Sequence, residues 1–406
     1  MNILVLNAGS SSQKSCLYSF QTTELPSQPP RPLWEATIDW TAKADEGLMR
    51  VEANGMHHTQ PLSSSDRSAA LPILLNTLVD GDTAVLDALN DIDGVGHRVV
   101  HGGADYSAPT RVTSDVKAAI AQLIPLAPAH NPANLDGIHA VEKALGDIPQ
   151  VVVFDTAFHS QMSPVAYTYP IPYEWTETGI RRYGFHGISH EYCAQRAAQM
   201  LNSPLESLRL ITCHLGNGCS LAAVKNGRSI DTTMGFTPLE GLMMGSRSGS
   251  IDPAILIHLM RNTDLTADQI DRMLNKASGL KGVSGISSDM REIQKAIDQG
   301  SDRAKLAIDL YIHRLKACMG SMLMSLEGLD TLVFTAGIGE HAPMIRAAAC
   351  SALTFLGLKL DLDKNAAAHS DGEISTPDSS IRVLVIHTEE DWAIAQACWQ
   401  ILNASG

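Results

Sequence analysis

The sequence is poor in the features that mark several protein classes. No stretch approaches the ~20 consecutive apolar residues of a membrane helix. No two cysteines stand in CxxC spacing, and the seven present (Cys16, Cys193, Cys213, Cys219, Cys318, Cys350 and Cys398) are odd in number and scattered. This spacing disfavours a disulfide framework or zinc knuckle, and reduced thiols are the better reading. Cations are scarce, 30 Lys and Arg against 44 Asp and Glu, for a net charge of -14. That balance argues against nucleic-acid or anionic-membrane partners, which need a dense cationic surface, but it leaves room for a local arginine pocket. The Walker A spacing GxxxxGK[ST] is missing. The apolar run 3–6 is followed at once by Asn7 and lacks the basic flank and length of a signal peptide. A soluble, cytoplasmic protein is expected.

What is present is an α/β pattern. The 406 residues suffice for two or more domains, and 44% hydrophobic against 18% charged residues allows a large core. Strands are predicted at 3–7, 151–155, 209–215, 220–224, 331–335 and 383–387, alternating with helical periodicity. The run Val151, Val152, Val153, Phe154 suits a strand covered on both faces. A helix is predicted over 134–145, capped by Asn134 and ended by Gly146, another from near Ser189, and a long one over 304–326. Segments 21–32, 60–68 and 370–380 read as polar connectors. Strand, small polar turn, strand occurs twice, around 7–12 and around 216–220, which suggests two related halves.

Several segments could carry chemistry. In the first turn, Asn7 to Lys14, small residues let backbone N–H groups and hydroxyls approach an anion, with Lys14 as a point charge. An ordinary Gly/Ser hairpin fits the same residues. The turn His214, Leu215, Gly216, Asn217, Gly218 is open to the same two readings, and Ala336 to Glu340 is a third Gly-rich turn after an apolar strand. Arg98 and Arg247 lie in Gly-rich settings and offer planar forks for carboxylate or phosphate, although surface ion pairs are the usual use. Asp155 ends an apolar strand, where open α/β sheets place catalytic and metal-binding groups; a turn aspartate fits too. Glu389 and Glu390 could hold Mg²⁺ or simply favour a helix start. His186 and His190 are four apart, as for zinc on a helix, but Gly187 would interrupt that helix and no HExxH glutamate is present. A single His186 donating to a phosphoryl group is the better use.

Together these segments resemble the acetate kinase family from the first strand to the last helix. The resemblance is carried by LNAGSSSQK (6–14), HRVVHGG (97–103), HNPAN (130–134), FDTAFH (154–159), RRYGFHGISH (181–190), HLGNG (214–218), MGFTPLEGLMMGSRSGSIDP (234–253), SGISSDMREI (284–293), TAGIGEH (335–341) and TEED (388–391). It implies two duplicated RNase H-like domains of the actin-like ATPase type around a cleft. The first would be 1–155 completed by 391–406. The second, 156–390, would hold the nucleotide site and a homodimer interface. It further implies reversible Mg²⁺-dependent (or Mn²⁺-dependent) phosphoryl transfer between ATP and acetate, giving acetyl phosphate and ADP. Position by position, the resemblance makes Arg98 the grip on the substrate carboxylate, with Val100, His130, Phe185 and Pro238 around it. His186 and Arg247 would stabilise the phosphoryl group, Asp155 would be the active-site aspartate, and Asn7 and Glu389 would be the metal-associated positions. Ser10, Ser12 and Lys14 would line the phosphate region. His214–Gly218, Asp289, Met290, Arg291, Gly337, Ile338, Gly339, Glu340 and His341 would contact the nucleotide.

Departures from the family pattern bear on specificity. Ala129 stands where leucine is common, which would leave room for an additional methylene, worth ~1–3 kcal/mol. His341, Ala336 and Ser250 also depart from the usual asparagine, glycine and aspartate. Three competing readings follow: a propionate or other short-chain carboxylate kinase, a non-catalytic actin-like ATP-binding protein, and a zinc hydrolase using Asp155, His159, His186 and His190.

Overall fold

The computed structural model describes all residues except 10, 11, 22, 23, 44, 45, 63–66, 129, 369, 405 and 406. The chain divides into two compact units, Met1–Ala157 with Glu389–Gly406, and Phe158–Thr388.

The first unit is built on strands β1 (Asn2–Ala8), β2 (Ser12–Ser19), β3 (Trp34–Lys43), β4 (Glu46–Ala53), β5 (Met56–Leu62), β6 (Gly94–Val99), β7 (Thr110–Arg111) and β8 (Gln150–Phe154), in the sheet order β5-β4-β3-β2-β1-β6-β8-β7. β1 runs antiparallel to β2 but parallel to β6, and β6 parallel to β8. As the unbroken apolar run required, every residue of β8 is buried. One face is covered by the Glu390–Asn403 helix, which buries Trp392, Ile394, Ala395 and Cys398. Glycines on β6 permit that approach: a Cβ on Gly94 would lie 2.5 Å from Leu402 Cδ1, and one on Gly96 2.7 Å from Ile394 Cγ2.

The second unit carries β9 (Arg209–Leu215), β10 (Cys219–Lys225), β11 (Arg228–Thr232), β12 (Thr331–Thr335), β13 (Gly372–Glu373) and β14 (Arg382–Val385), ordered β11-β10-β9-β12-β14-β13. β9 is antiparallel to β10, parallel to β12, and β12 is parallel to β14. This repeats the β3-β2-β1-β6-β8 core of the first unit. The two turns singled out in the sequence join the equivalent hairpins, β1–β2 and β9–β10. The long helix spans Asp302–Leu326, capped by Ser301, with a buried stripe through Ala304, Ile308, Tyr311, Leu315, Met319 and Met322.

Five local expectations are corrected. The helix expected from Asn134 starts at Asn131, because Pro132 fits its first turn; Asn134 is interior, accepting from Val100 N (3.2 Å) and donating to Ala8 O (3.4 Å). Gly187 does not interrupt a helix but opens one, Gly187–Met200, with His186 as its N-cap. Residues 336–341 form a short helix rather than a turn. Gln60 to Leu62 belong to β5 and not to a connector. β14 stops at Val385, short of His387, whose N–H donates to Asp371 Oδ1 instead (3.0 Å).

Candidate functional site

In the first unit, β1, β6 and β8 are adjacent and parallel, so their C-terminal ends lie together. Asn7, Arg98 and Asp155 sit at those ends. Arg98 makes a bidentate pair with Asp155, Nη2 to Oδ2 at 2.6 Å and Nε to Oδ1 at 3.1 Å, while Nη1 reaches Asn7 Oδ1 at 3.4 Å. Burial alone would push the Arg98 guanidinium down; Asp155, with Glu390 and Asp391 behind it, outweighs this and holds it above its ordinary value. Asn7 Nδ2 donates to Asp391 Oδ1 (2.9 Å) and more weakly to Glu390 Oε2 (3.4 Å). Lys14 pairs with Asp391 Oδ2 at 3.0 Å and with Glu35 at 3.3 Å. Glu389 is the N-cap residue of the Glu390–Asn403 helix, and His130 that of the Asn131–Leu145 helix. Val100 is buried, and Ser12 is exposed at the start of β2. Ser10 and Ala129 lie outside the described residues.

The second unit gathers His186, His214, Asn217, Gly218, Pro238 and Arg247. His186 holds φ 58°, a left-handed conformation that costs a non-glycine residue about 1 kcal/mol. Its ring stacks on His214 with centroids 4.1 Å apart, and its Nδ1 is 2.9 Å from Ser220 Oγ. Arg247 Nη1 donates to Pro238 O (3.0 Å). Gly218 explains how two bulky groups reach one spot: a Cβ there would stand 3.4 Å from His186 Nε2 and 3.3 Å from Arg247 Nη1. The glycine at 245 is likewise needed, since its Cβ would fall 2.2 Å from Asn217 Oδ1. Phe185 is buried; its carbonyl is 3.1 Å from His159 Nε2.

The remaining segments of this unit are unequal. Asp289 caps the Met290–Asp298 helix and pairs with the exposed Arg291 (2.6 Å), which lowers its carboxyl; such an exposed pair adds little stability. The Ala336–His341 helix, holding Gly337, Ile338, Gly339 and Glu340, is tied at both ends. Buried Glu340 accepts from Ala336 N (2.9 Å) and meets His387 Nδ1 (2.7 Å). Arg346, wholly buried, donates to the carbonyls of Gly339 (2.9 Å) and Glu340 (2.6 Å) and to Asn365 Oδ1 (2.8 Å). Burial pulls its guanidinium below the ordinary value.

Residues 2–396 match the acetokinase family. The chain is 64% identical to the acetate kinase of Rippkaea orientalis over 99% of its own length and 100% of that protein. It is 62% identical to the acetate kinase of Nostoc punctiforme, again over 99% and 100%. Among solved structures it is similar to Porphyromonas gingivalis acetate kinase (TM-score 0.90, 40% identity, 99% of each chain) and to a propionate kinase of Francisella tularensis (TM-score 0.89, 39% identity, 98% and 99%). The chain belongs to the acetokinase family.

As an acetokinase-family chain it has the fold the repeated sheets describe, two actin-like ATPase domains. Two residues went unnamed in the sequence. Asp391, 5% exposed, is the acid of TEED that engages both Asn7 and Lys14; an acid one residue into an apolar helix was its signal. Arg346 stands on the buried side of the Pro343–Cys350 helix beside Ile345 and Ala349, and a cation on an apolar stripe could have flagged it. The zinc reading is not supported by the histidines: both ring nitrogens of His159 and of His190 bond hydroxyl or carbonyl oxygens. Burial pushes His159 down to about 4, a neutral imidazole at physiological pH. Among the described residues, no group of three His, Cys, Asp or Glu is placed to hold a metal, and no helix is long and apolar enough to cross a membrane.

Proposed function

We propose that this chain catalyses reversible phosphoryl transfer between ATP and acetate, giving acetyl phosphate and ADP. The observation that carries the proposal is full-length identity above 60% to proteins named acetate kinase. The site chemistry agrees with it. Phosphoryl transfer needs alignment and charge neutralisation more than covalent catalysis. Arg98 grips the acceptor carboxylate: Asp155 fixes its Nε–Nη2 edge, and its Nη1 edge makes a long contact to Asn7 Oδ1. His186 and Arg247, meeting at Gly218, donate to the equatorial oxygens of the phosphoryl group in flight. The acceptor carboxylate is already ionised at neutral pH, so no general base is required, and Asp155 acts as a positioning group. His214–Gly218, Asp289–Arg291 and Gly337–His341 bind the nucleotide, Ser10, Ser12 and Lys14 its phosphates, and Val100, His130, Phe185 and Pro238 the acyl group.

The oxygens of Asn7, Asp155 and Glu389 suit a hard divalent cation, Mg²⁺ or Mn²⁺, which takes one or two carboxylates and completes its shell with water and phosphate oxygens. When bound, it neutralises nucleotide phosphate charge. We place the enzyme in the cytoplasm as a homodimer. The Ala254–Asn262 helix supports the latter: none of its residues is buried, and Ile255, Ile257 and Met260 are 46%, 44% and 47% exposed. Sedimentation as a single chain of 43.6 kDa would count against the dimer.

A propionate kinase is the second reading, favoured by the likeness to the Francisella tularensis enzyme and by Ala129. The hydroxamate assay tests both. Purified protein with ATP, Mg²⁺ and hydroxylamine is expected to form hydroxamate with acetate; silence from folded, ATP-binding protein would refute the activity. If Ala129→Leu leaves the propionate-to-acetate ratio of kcat/KM unchanged, the enlarged pocket is wrong.

A further inference from the structure

Behind His186 runs a buried chain of hydroxyls and imidazoles. Ser220 Oγ lies 2.9 Å from His186 Nδ1 and 2.7 Å from His190 Nε2, and His190 Nδ1 lies 2.7 Å from Thr212 Oγ1. Ser220, His190 and Thr212 are all 0% exposed. The hairpin register, Ser220 opposite His214 and Ala222 opposite Thr212, puts Thr212, His214 and Ser220 on one face, against the helix that carries His190. Burial, helped by His159 and His214, drives His190 well down, so it is neutral.

A neutral imidazole has one N–H and one lone pair, and a hydroxyl has one hydrogen. If each hydroxyl relays, donating to one ring and accepting from the other, the chain has two polarities; if Ser220 instead accepts from both rings, His186 again carries its hydrogen on Nδ1. In the first, Thr212 donates to His190 Nδ1, His190 Nε2–H donates to Ser220, and Ser220 donates to His186 Nδ1. A neutral His186 then carries its proton on Nε2. In the second, every bond reverses, His186 donates through Nδ1, and its Nε2 has no hydrogen to offer. Only the first polarity lets a neutral His186 donate from the nitrogen that lies beside Arg247 Nη1 at Gly218.

We propose that Ser220 is a positioning residue that fixes the tautomer of His186 so that Nε2–H faces the transferring phosphoryl group, with His190 and Thr212 setting the direction of the Ser220 hydroxyl. This rests on the reading of His186 given above. A parallel device serves the stacked neighbour: Thr388 Oγ1 donates to Ser189 Oγ (3.1 Å), which is 2.8 Å from His214 Nδ1. The groups facing His186 are His214 on β9, Ser220 on β10 and Arg247 on its loop, with His190 of its own helix beyond Ser220.

The test compares wild type, Ser220→Ala, Thr212→Val and His186→Ala in the hydroxamate assay from about pH 6 to about pH 9. Ser220→Ala should lose roughly tenfold in kcat at the alkaline end, with the KM values for ATP and acetate unchanged. That deficit should shrink toward pH 6, because an imidazolium carries N–H at both nitrogens. Thr212→Val, two bonds further from the substrate, should show a smaller deficit with the same pH trend. In ¹⁵N spectra, His186 should be a single Nε2–H tautomer in the wild type and a mixture in Ser220→Ala. A Ser220→Ala deficit constant across pH, no deficit at all, or an unchanged tautomer overturns the proposal while His186→Ala remains impaired. Full turnover by His186→Ala would instead overturn the role of His186 itself.

Discussion

Arg247 shows how a single side chain is held ready for a charge that exists only briefly. Its guanidinium is anchored through Nη1 to the Pro238 carbonyl, and a bare glycine at 218 lets it stand beside His186. Preorganised donors of this kind are worth about 10²–10³ in rate when removed singly. Arg247→Ala is therefore expected to lower kcat by about that factor, with the thermal midpoint close to wild type; near-normal turnover would take Arg247 out of the mechanism. Arg98 behaves differently. Its bidentate bond to Asp155 means that the residue read from the sequence as a substrate grip is also the half-buried partner in an ion pair with a buried carboxylate. Sequence spacing could not reveal that, because positions 98 and 155 meet only through the parallel pairing of β6 and β8.

At the scale of elements, the β9–β10 hairpin is the part on which most of the second unit's chemistry hangs. Gly218→Ala would place a methyl 3.3–3.4 Å from Arg247 and His186, closer than either tolerates without moving a few tenths of an ångström. Since a misplacement near 1 Å can cost about 10²-fold, a kcat loss of roughly tenfold is expected, with the circular dichroism of the wild type retained. Unaltered kcat would mean that the two groups do not converge there. The hairpin was legible beforehand, because HLGNG between two apolar runs has few other solutions. Helix starts were harder to read. Asn134 has the residue type of a cap, but its amide is engaged with the backbone of Val100 and Ala8, far away in sequence. His186 does begin a helix, yet from a left-handed conformation that is uncommon for any residue but glycine. The Ser220–His190–Thr212 chain was invisible for the same reason: its members come from two strands and a helix.

Across the whole molecule, buried neutral histidines tie stability to pH. His97 in the first unit and His159 in the second are each pushed from 6.5 down to about 4 by burial. Unfolding releases them to their ordinary value, so the unfolded chain binds protons first as the solution is acidified. Their contribution is complete above pH 6.5 and is lost progressively toward pH 4, up to about 3 kcal/mol for each site. Urea midpoints should fall between pH 7 and pH 5, before most carboxylates titrate, and His97→Gln should show a smaller fall; equal falls would remove His97 from the effect. That the chain has two related halves was legible from its two turns, whereas the strand order of the sheets was not. The assignment of the last helix to the first sheet came from motif resemblance and not from any pattern in the helix itself.

That last assignment has a consequence for how the chain comes into being. The ribosome delivers β1, β6 and β8 early and the Glu390–Asn403 helix last, with all of the second unit between them. Until residues 391–402 have emerged, Gly94 lacks Leu402, Gly96 lacks Ile394, and Asn7 and Lys14 have no Asp391 to bind. The first unit must wait for the far end of the chain, so it cannot mature ahead of the second as amino-terminal domains usually do. A chain released before that point leaves this sheet face uncovered, an apolar surface open to association with other chains.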